Sequence, residues 1–265
     1  MVATSVATRA MTSRGKARRM FERNVLAYRS GWVVFASGIV EPVFYLLSIG
    51  IGLGALVGTV EVGGRAVPYA VFMAPAMLAV SAMNGALTET TFNMFARLKF
   101  AKLYDSILAT PMRPVDIALG EIAWALARGG VYSGVFLGLM AVLGYVTSWY
   151  ALLALPAAVL IGFGFGAAGM ALATYMRSWQ DFDYLGFVMI ALFLVSATFY
   201  PIEVYPGWAQ PIVEWTPLTQ SVELIRDLTT GTPTPHTGVH VGYLTALSVL
   251  GSIGAAYRID RLLCR

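Results

Sequence analysis

The sequence predicts an all-α integral membrane protein with six transmembrane helices, on the evidence of its composition, its long apolar segments and its charge distribution. Hydrophobic residues make up 58% of the 265 residues and charged residues only 12%, whereas soluble domains carry about 25% charged residues. So much apolar surface cannot be buried inside a soluble fold of this length, which makes lipid the expected solvent. The single cysteine, Cys264, excludes an internal disulfide.

An amphipathic helix is predicted over residues 14–30, after a disordered tail at residues 1–13. Basic residues occupy one face of this helix, and mostly apolar and aromatic residues occupy the other. Such a helix lies along the cytoplasmic leaflet and is attracted to anionic lipid. The basic face contains Lys16, Arg19 and Arg23, and the opposite face contains Met20, Phe21, Asn24, Val25 and Tyr28.

Six segments are long enough to cross a bilayer, which requires about 20 residues for each helix. The last two, with 18 and 17 residues, are near the lower limit. We interpret the whole chain, residues 1–265, as one transmembrane domain. The predicted spans are Trp32–Gly58, Pro68–Thr88, Ile122–Trp149, Tyr150–Met176, Tyr184–Pro201 and Val241–Tyr257.

The distribution of positive charge predicts the orientation. With the N-terminus in the cytoplasm, 15 of the 18 lysines and arginines fall on cytoplasmic segments. Cytoplasmic loops of membrane proteins carry an excess of these residues, so we expect both termini to be cytoplasmic. The basic charge then belongs to the membrane surface, and nucleic-acid binding is excluded.

The connection after the second span, residues 93–120, reads NMFARLKFAKLYDSILATPMRPVDIALG. Its apolar residues recur at three- and four-residue spacing, which indicates a short helix that ends before Pro111 and Pro114. An aromatic face offered to the cytosol is suited to docking another protein. The alternative is that this face rests on the membrane. The face consists of Phe100, Leu103, Tyr104, Ile107 and Leu108.

The stretch FYPIEVYPGWAQP, residues 199–211, follows the fifth span and therefore faces outward in this orientation. Two short helices are predicted after it, at about 207–215 and 217–228, each opened by a proline-bearing turn. Charged residues forbid exposure to acyl chains, so we expect a re-entrant or surface-lying hairpin, with a plain surface loop as the alternative. The residues that define this hairpin are Pro201, Trp208, Glu214, Pro217, Glu223 and Arg226.

Four residues are candidates for a transport pathway or a hinge: Glu41, Pro42, Glu121 and Arg128. A charge at the bilayer centre costs roughly 2.5–3.5 kcal/mol on insertion scales, so Glu41 is expected to face the bundle interior. It either lines a conduit or pins two helices together. Arg128 follows Glu121 by seven residues, about 10 Å along one helical face. It either snorkels to the inner leaflet or pairs with a neighbouring helix.

Motifs for catalysis or metal binding are weak in this sequence. The Gly15–Lys16 pair lacks the rest of a phosphate-binding loop. GFGFGAAG, residues 162–169, lies in an uncharged span, where small residues four apart favour close helix packing. His236 and His240 have no evident third ligand, so the sequence predicts neither a metal site nor a catalytic pair.

The chain resembles the ABC-2-type export permeases, and most closely the permeases that export nodulation factors, which are lipooligosaccharides, together with related drug-export permeases. The six-span layout and three stretches carry the resemblance, the last being the most specific. These stretches are EPVFYLLSIGIGLGALVG, FARLKFAKLYDSILATPMRPVDIALGEIAWA and SATFYPIEVYPGWAQPIVEWTPLTQSVELIRDLTTG.

The resemblance implies a bacterial plasma-membrane permease that pairs with a second permease copy, identical or related. Each copy would bind a separate cytoplasmic ATPase subunit, which binds ATP and Mg, while this chain needs no cofactor and hydrolyses nothing. Relatives carry sugars, lipids and drugs, so we expect export of a lipid-like, glycolipid or drug substrate. The alternatives are an ion-coupled carrier that uses Glu41 as its proton site and an intramembrane enzyme.

The resemblance also assigns roles to the cytoplasmic and outer helices. The amphipathic helix would be a connecting helix that touches the ATPase, and the proline-broken hairpin would cap the pathway. The implied connecting-helix contacts are Arg19, Phe21 and Arg23, and the implied coupling-helix contacts are Arg97, Phe100, Ala101, Tyr104, Asp105 and Leu108.

Overall fold

The computed structural model describes residues 15, 18–28, 40, 42–62, 65–100, 103–232 and 234–263, and most of them are helical. Helix α1 covers residues 18–28. Helix α2, Pro42–Val57, contains a π-helical segment at Leu46–Ile51. Glu41 and residues 32–39 of the first predicted span lie outside the described residues, as do residues 1–13.

A two-stranded antiparallel hairpin follows α2, although the sequence analysis predicted no strands. Strand β1, Thr59–Val62, pairs with β2, Arg65–Pro68. Gly58 has a φ of 71°, a conformation that glycine adopts without a steric penalty, and it allows the chain to turn from helix into strand. Val60 and Val62 before a Gly–Gly pair, with Val67 after it, are a hairpin signal in a segment that the sequence analysis interpreted only as the connection between the first two spans.

Helix α3 covers Tyr69–Thr88, and the helical segment that it begins continues past Thr88, where the second predicted span ended. Two π-helical segments, Glu89–Asn93 and Ala96–Phe100, extend it toward the short helix α4, Leu103–Leu108. The predicted span stopped at Thr88 because Glu89 is the first charge. The helix continues because neighbouring helices supply partners for that carboxylate, so its burial is tolerated.

The remaining helices complete a bundle. Helix α5 starts at a proline, where the Asp116 carboxylate accepts a 3.1 Å hydrogen bond from the Arg113 backbone N–H. A 3₁₀ turn at Trp149–Leu153 leads into α6. The bounds are α5 Pro114–Val142, α6 Ala154–Ala173, α7 Asp181–Val195, α8 Gln210–Glu214, α9 Pro217–Thr230 and α10 Pro235–Leu263.

Four helices in the described part of the chain are long and apolar enough to cross a membrane, which identifies a mostly helical membrane protein. The predicted count of six depends on α2, described from residue 40 with a gap at residue 41, and on the 15-residue α7. The four long segments are Tyr69–Lys99, Asp116–Val142, Trp149–Ala173 and Pro235–Arg258.

Helix α6 lies at the centre of the bundle and packs against α3, α5 and α10. Its glycines face these neighbours, as the sequence analysis expected for packing. A methyl group at Gly162 or Gly166 would lie 3.7 or 3.5 Å from the Ala86 side chain of α3. At Gly169 it would lie only 2.7 Å from Leu87, so the absence of a side chain sets the distance between α6 and α3.

Helices α8 and α9 occupy the segment for which the hairpin is predicted. Pro211 and Pro217 lie in their first turns, and the Thr216 side chain caps α9. Helix α9 packs against α3 and α10, and most of its side chains are buried. The Arg226 guanidinium lies 4.1 Å from the Phe72 ring centroid, so the charge is covered by an aromatic face.

Candidate functional site

A cluster of charged side chains joins α1, α3, α4 and α5. We call it the charge cluster and define it as Glu89, Arg97, Glu121 and Arg128. Arg97 is half-buried and the other three are buried. Two carboxylates face two guanidiniums, so the formal charges of these four side chains cancel. Buried charges are tolerated when they are paired and hydrogen-bonded in this way.

Arg97 bridges the two carboxylates. Its Nη2 donates to Glu89 Oε1 at 2.7 Å, and its Nη1 donates to Glu121 Oε2. Glu89 and Arg97 lie on the two π-helical segments that extend α3, whereas Glu121 lies on α5. One guanidinium therefore ties the end of α3 to the first half of α5.

Arg128 makes the second link between these helices. Its Nη1 donates to Glu89 Oε2 at 2.7 Å and its Nε donates to Tyr132 Oη at 2.7 Å. The sequence analysis left open whether Arg128 snorkels or pairs with a neighbouring helix, and the structure shows the pairing. Glu121 and Arg128 do share a face of α5, but each is bonded to a different residue of α3.

Helix α1 is anchored to the charge cluster through polar side chains. Tyr28 Oη donates to Glu89 Oε2 at 2.9 Å, and Asn24 Nδ2 donates to Glu121 Oε2 at 3.1 Å. Burial, and then the nearby Glu89 charge, raise the pKa of Tyr28 to about 12, so its hydroxyl keeps the proton that it donates. The mostly apolar face predicted for α1 therefore also makes hydrogen bonds to α5 and to the extension of α3.

Tyr104 of α4 corrects one interpretation from the sequence. Its ring was expected on a face offered to the cytosol, but it is only 1% exposed. The ring packs beside Met20, Ile117 and Met170, and its hydroxyl donates to Glu121 Oε1 at 3.1 Å. Burial raises the pKa of Tyr104 well above its ordinary value, which keeps the phenol neutral. The aromatic residue thus turns inward, where a buried carboxylate accepts a hydrogen bond from its hydroxyl.

The other residues that the resemblance assigns to ATPase contacts are only partly described. Arg19 is exposed, the Phe21 ring packs edge-on against Trp124 at 5.7 Å, and Arg23 donates to the Asn24 side chain at 3.0 Å. Ala101 lies outside the described residues. The backbone of Phe100, Asp105 and Leu108 is described, but their side chains are not.

A groove of about 760 Å³ opens beside the charge cluster, between α2, α3, α5 and α7. Pro42 and Tyr45 line it from α2, and Met189 and Phe193 line it from α7. Arg128 contributes to its wall, so this residue belongs both to the groove and to the charge cluster. The wall is otherwise mainly apolar, with a few polar side chains on α3.

The predicted hairpin residues divide into exposed and buried groups. Trp208 is 77% exposed and Glu214 is also exposed, whereas Pro201 is buried and Pro217 half-buried. Arg226 Nη1 donates to Glu223, and its Nη2 donates to the Ala197 carbonyl at 3.3 Å. Arg226 therefore bonds the α8–α9 hairpin to the chain just after α7.

Sequence reasoning missed Glu89, the residue with the most partners in the charge cluster. Its Oε2 also accepts a 2.7 Å hydrogen bond from Asn93 Nδ2. The available signal was its position one residue after an uncharged apolar segment, together with Asn93 and Arg97 four and eight residues later on the same helical side.

Long apolar helices around a buried, charge-neutral cluster define a multi-pass membrane protein with a polar connection inside its bundle. The ABC-2 type transporter family matches residues 16–229, and the chain belongs to this family. It is 34% identical to Nodulation protein J of Rhizobium meliloti (strain 1021) over 87% of each chain. It is 32% identical to Nodulation protein J of Rhizobium leguminosarum bv. viciae, over 93% of this chain and 94% of the relative. The predicted resemblance is confirmed, and the chain is a transporter permease subunit.

Proposed function

We propose that this permease is the membrane subunit of an ATP-driven exporter that moves a lipid-like, glycolipid or drug molecule out of the cytoplasm. In this proposal the chain crosses the membrane six times with both termini in the cytoplasm. Two permease copies pair, and each binds one separate ATPase subunit that holds ATP and Mg.

The observation that carries this proposal is the position of Arg128. It pairs with Glu89 inside the charge cluster and also lines the groove. The cluster in turn bonds to Asn24 and Tyr28 of α1 and to Tyr104 of α4. Helices α1 and α4 carry the residues that we expect to contact an ATPase, so a short chain of hydrogen bonds connects that surface with the groove.

The geometry supports a mechanical link through these bonds. When the ATPase subunits close, α4 moves and pulls on Glu121 through the Tyr104 hydroxyl. Arg97 passes the displacement to Glu89, and Glu89 passes it to Arg128 at the groove. Because each member is buried or half-buried, water does not easily replace a broken bond, and moving the helices together costs less than separating them. Closure of the ATPase subunits on ATP therefore moves Arg128 and changes the shape of the groove.

The test uses the full permease, co-expressed with its ATPase and reconstituted in vesicles. A Glu89→Gln variant keeps the side-chain size but removes the charge that Arg97 and Arg128 share. We expect the complex to assemble and hydrolyse ATP while ATP-dependent export falls at least about tenfold, because hydrogen bonds to charged groups contribute roughly 1.5–3 kcal/mol.

The matched control is Asp183→Asn, which neutralises an exposed carboxylate near the start of α7. It should export at the rate of the unmodified chain. Export by Glu89→Gln at that same rate would contradict the mechanical link. If no ATPase co-purifies with the tagged permease, the exporter assignment itself fails.

A further inference from the structure

The β1–β2 hairpin is a sheet of two strands in the described part of the chain, so each strand has one edge that is not paired within the sheet. Its register places Val60 opposite Val67, and two residues further along the Tyr69 N–H donates to the Gly58 carbonyl at 3.1 Å. In an antiparallel ladder, residue pairs that exchange such bonds alternate with pairs that do not. Gly58, Val60 and Val62 therefore direct their backbone groups toward β2, and the residues between them direct theirs away from it.

The two edges differ in what they offer to another strand. On the β2 side the outward-facing residues are Ala66 and Pro68, and proline has no N–H to donate. On the β1 side they are Thr59 and Glu61, which together offer two N–H groups and two carbonyl groups. None of the residues that the structure describes bonds to these four groups. The open edge is therefore that of β1, whereas a proline protects the edge of β2.

The position of β1 limits what can reach its open edge. Helix α2 ends at Val57, so β1 begins two residues outside this helix and lies at the predicted outer surface of the membrane. Val60 and Val62 are half-buried against the core of the bundle, whereas Thr59 and Glu61 are exposed. A partner strand must therefore approach along the membrane surface, as a second permease copy does.

The open edge of β1 is complementary to itself in one antiparallel register. With a twofold axis at Val60, Thr59 of each copy lies opposite Glu61 of the other, and each such pair exchanges two hydrogen bonds. All four outward backbone groups of each strand are then satisfied. An axis at Glu61 would instead place two carboxylates opposite each other, which is unfavourable. An axis at Thr59 would place Glu61 opposite Val57, which is helical.

We propose that the open edge of β1 pairs with the same edge of a second permease copy and forms a four-stranded antiparallel sheet on the outer side of the membrane. This inference rests on the pairing of two permease copies in the proposed function, and it names a surface through which they meet. Strand addition of this kind gains affinity from main-chain hydrogen bonds, and here the opposed Val60 side chains add an apolar contact.

The experiment is disulfide cross-linking of single cysteines in a Cys264→Ser background, with the full permease and its ATPase co-expressed in membranes. In the proposed register the two Val60 side chains are directly opposite, with Cβ atoms about 4.5 Å apart, whereas the two Glu61 side chains are diagonal neighbours about 7–8 Å apart. A disulfide needs about 3.5–4.5 Å between Cβ atoms. Oxidation should therefore link Val60→Cys copies into a dimer in several times the yield of Glu61→Cys or Ala66→Cys.

Exposure separates this result from random collision. Glu61 is exposed and Val60 is half-buried, so collisions between unpaired copies would cross-link Glu61→Cys faster. Thr59 gives a second comparison, because it is exposed and lies opposite Glu61 of the other copy in the proposed register. Thr59→Glu should slow the Val60→Cys cross-link several-fold, since like charges then oppose each other, and the matched control Thr59→Lys should not slow it. Co-purification with the ATPase confirms that each variant is folded.

Three results would overturn the proposal. Cross-linking of Glu61→Cys as fast as Val60→Cys would mean that the copies meet only by collision. A Val60→Cys cross-link to a different protein would give the edge another partner. Equal rates in Thr59→Glu and Thr59→Lys would show that Thr59 does not lie opposite Glu61. Failure of the proposed function is a separate result, in which differently tagged permease copies do not co-purify. Copies that co-purify without the Val60→Cys cross-link contradict the strand pairing alone.

Discussion

Glu89 accepts hydrogen bonds from four side chains, so it is the residue on which the charge cluster depends most. Arg97, Arg128, Tyr28 and Asn93 all donate to its two oxygens. Removing it leaves buried donors without an acceptor, and the loss is larger than the energy of any one bond. The energy of each interaction of Glu89 can be measured by substituting Glu89 and one partner, first singly and then together.

The first prediction concerns the Glu89–Arg128 pair. Glu89→Gln and Arg128→Met each leave an uncompensated buried charge, and each should lower the free energy of unfolding by roughly 3–5 kcal/mol. The double variant removes one charge of each sign and should lose about 0.5–3 kcal/mol less than the sum of the two. Unfolding of the detergent-solubilised chain measures all three. Strict additivity would show that the two side chains do not interact.

Tyr28 provides a prediction about pH. Its pKa is raised from the ordinary value of 10.0 to about 12, first by burial and then by Glu89. Its stabilising contribution is therefore complete below about pH 10 and is lost as the pH rises to about 12. Tyr28→Phe should remove this part of the alkaline loss of stability, measured by thermal unfolding from pH 8 to 12. An identical pH profile in the variant would mean that the Tyr28 phenol does not contribute.

At the scale of single residues, the sequence predicted some members of the charge cluster but not their bonding partners. The sequence identified Arg128 and Glu121 because charges are rare in and beside apolar segments, whereas Arg97 was named only as a coupling-helix contact implied by the family resemblance. It could not identify their partners, since Arg97 reaches Glu121 from 24 residues earlier and Tyr28 reaches Glu89 from 61 residues earlier. Tyr104 was misinterpreted because helical periodicity shows which residues share a face but not what that face contacts.

The helices of the bundle are held at distances that their glycines set. Gly251 of α10 faces the backbone of α6, where an added methyl group would lie 2.7 Å from Ala168 N and 2.9 Å from the Ala167 carbonyl carbon. Backbone atoms cannot rotate away as side chains do. The contact between α6 and α10 is therefore less tolerant of added volume than the contact between α6 and α3.

The prediction is an order of sensitivity among three alanine variants. Gly251→Ala should lower stability by about 1–3 kcal/mol, the usual cost of overpacking. Gly169→Ala should be milder, because its nearest obstacles are the side chains of Leu87, Thr90 and Thr91. Gly242→Ala is the control on α10, with nothing within 4 Å of the added methyl group. Thermal unfolding of the purified variants gives the order, and a Gly251→Ala midpoint equal to that of Gly242→Ala would contradict it.

Long apolar helices were easier to predict than their ends and the short elements. The central glycine-rich helix, Ala154–Ala173, lies within the predicted segment Tyr150–Met176, whose sequence carries no charge from end to end. Helix α3 was predicted too short, since a charge that is buried and paired looks in sequence like the edge of a membrane. The β1–β2 hairpin was missed because residues 59–67 lie between the first two predicted spans and were interpreted only as a connection on the outer side.

The orientation of the complete chain in the membrane can be tested with single cysteines. In a Cys264→Ser background, Trp208→Cys should react with a membrane-impermeant maleimide in intact cells, because Trp208 is exposed on the predicted outer side. Ser106→Cys, at an exposed position of α4, should react only after the cells are opened. If both cysteines react equally in intact cells, the predicted orientation is wrong.

The double attachment of Arg97 has a consequence for how the permease changes state. Arg97 holds Glu89 within the extension of α3 and also crosses to Glu121 of α5, while Arg128 of α5 crosses back to Glu89. A gradual slide of α5 past α3 would stretch the Arg97–Glu121 and Arg128–Glu89 attachments together, and neither can relax alone. The part of the bundle around the charge cluster is therefore expected to switch between two arrangements, exchanging ion-pair partners in a single step rather than passing through intermediates.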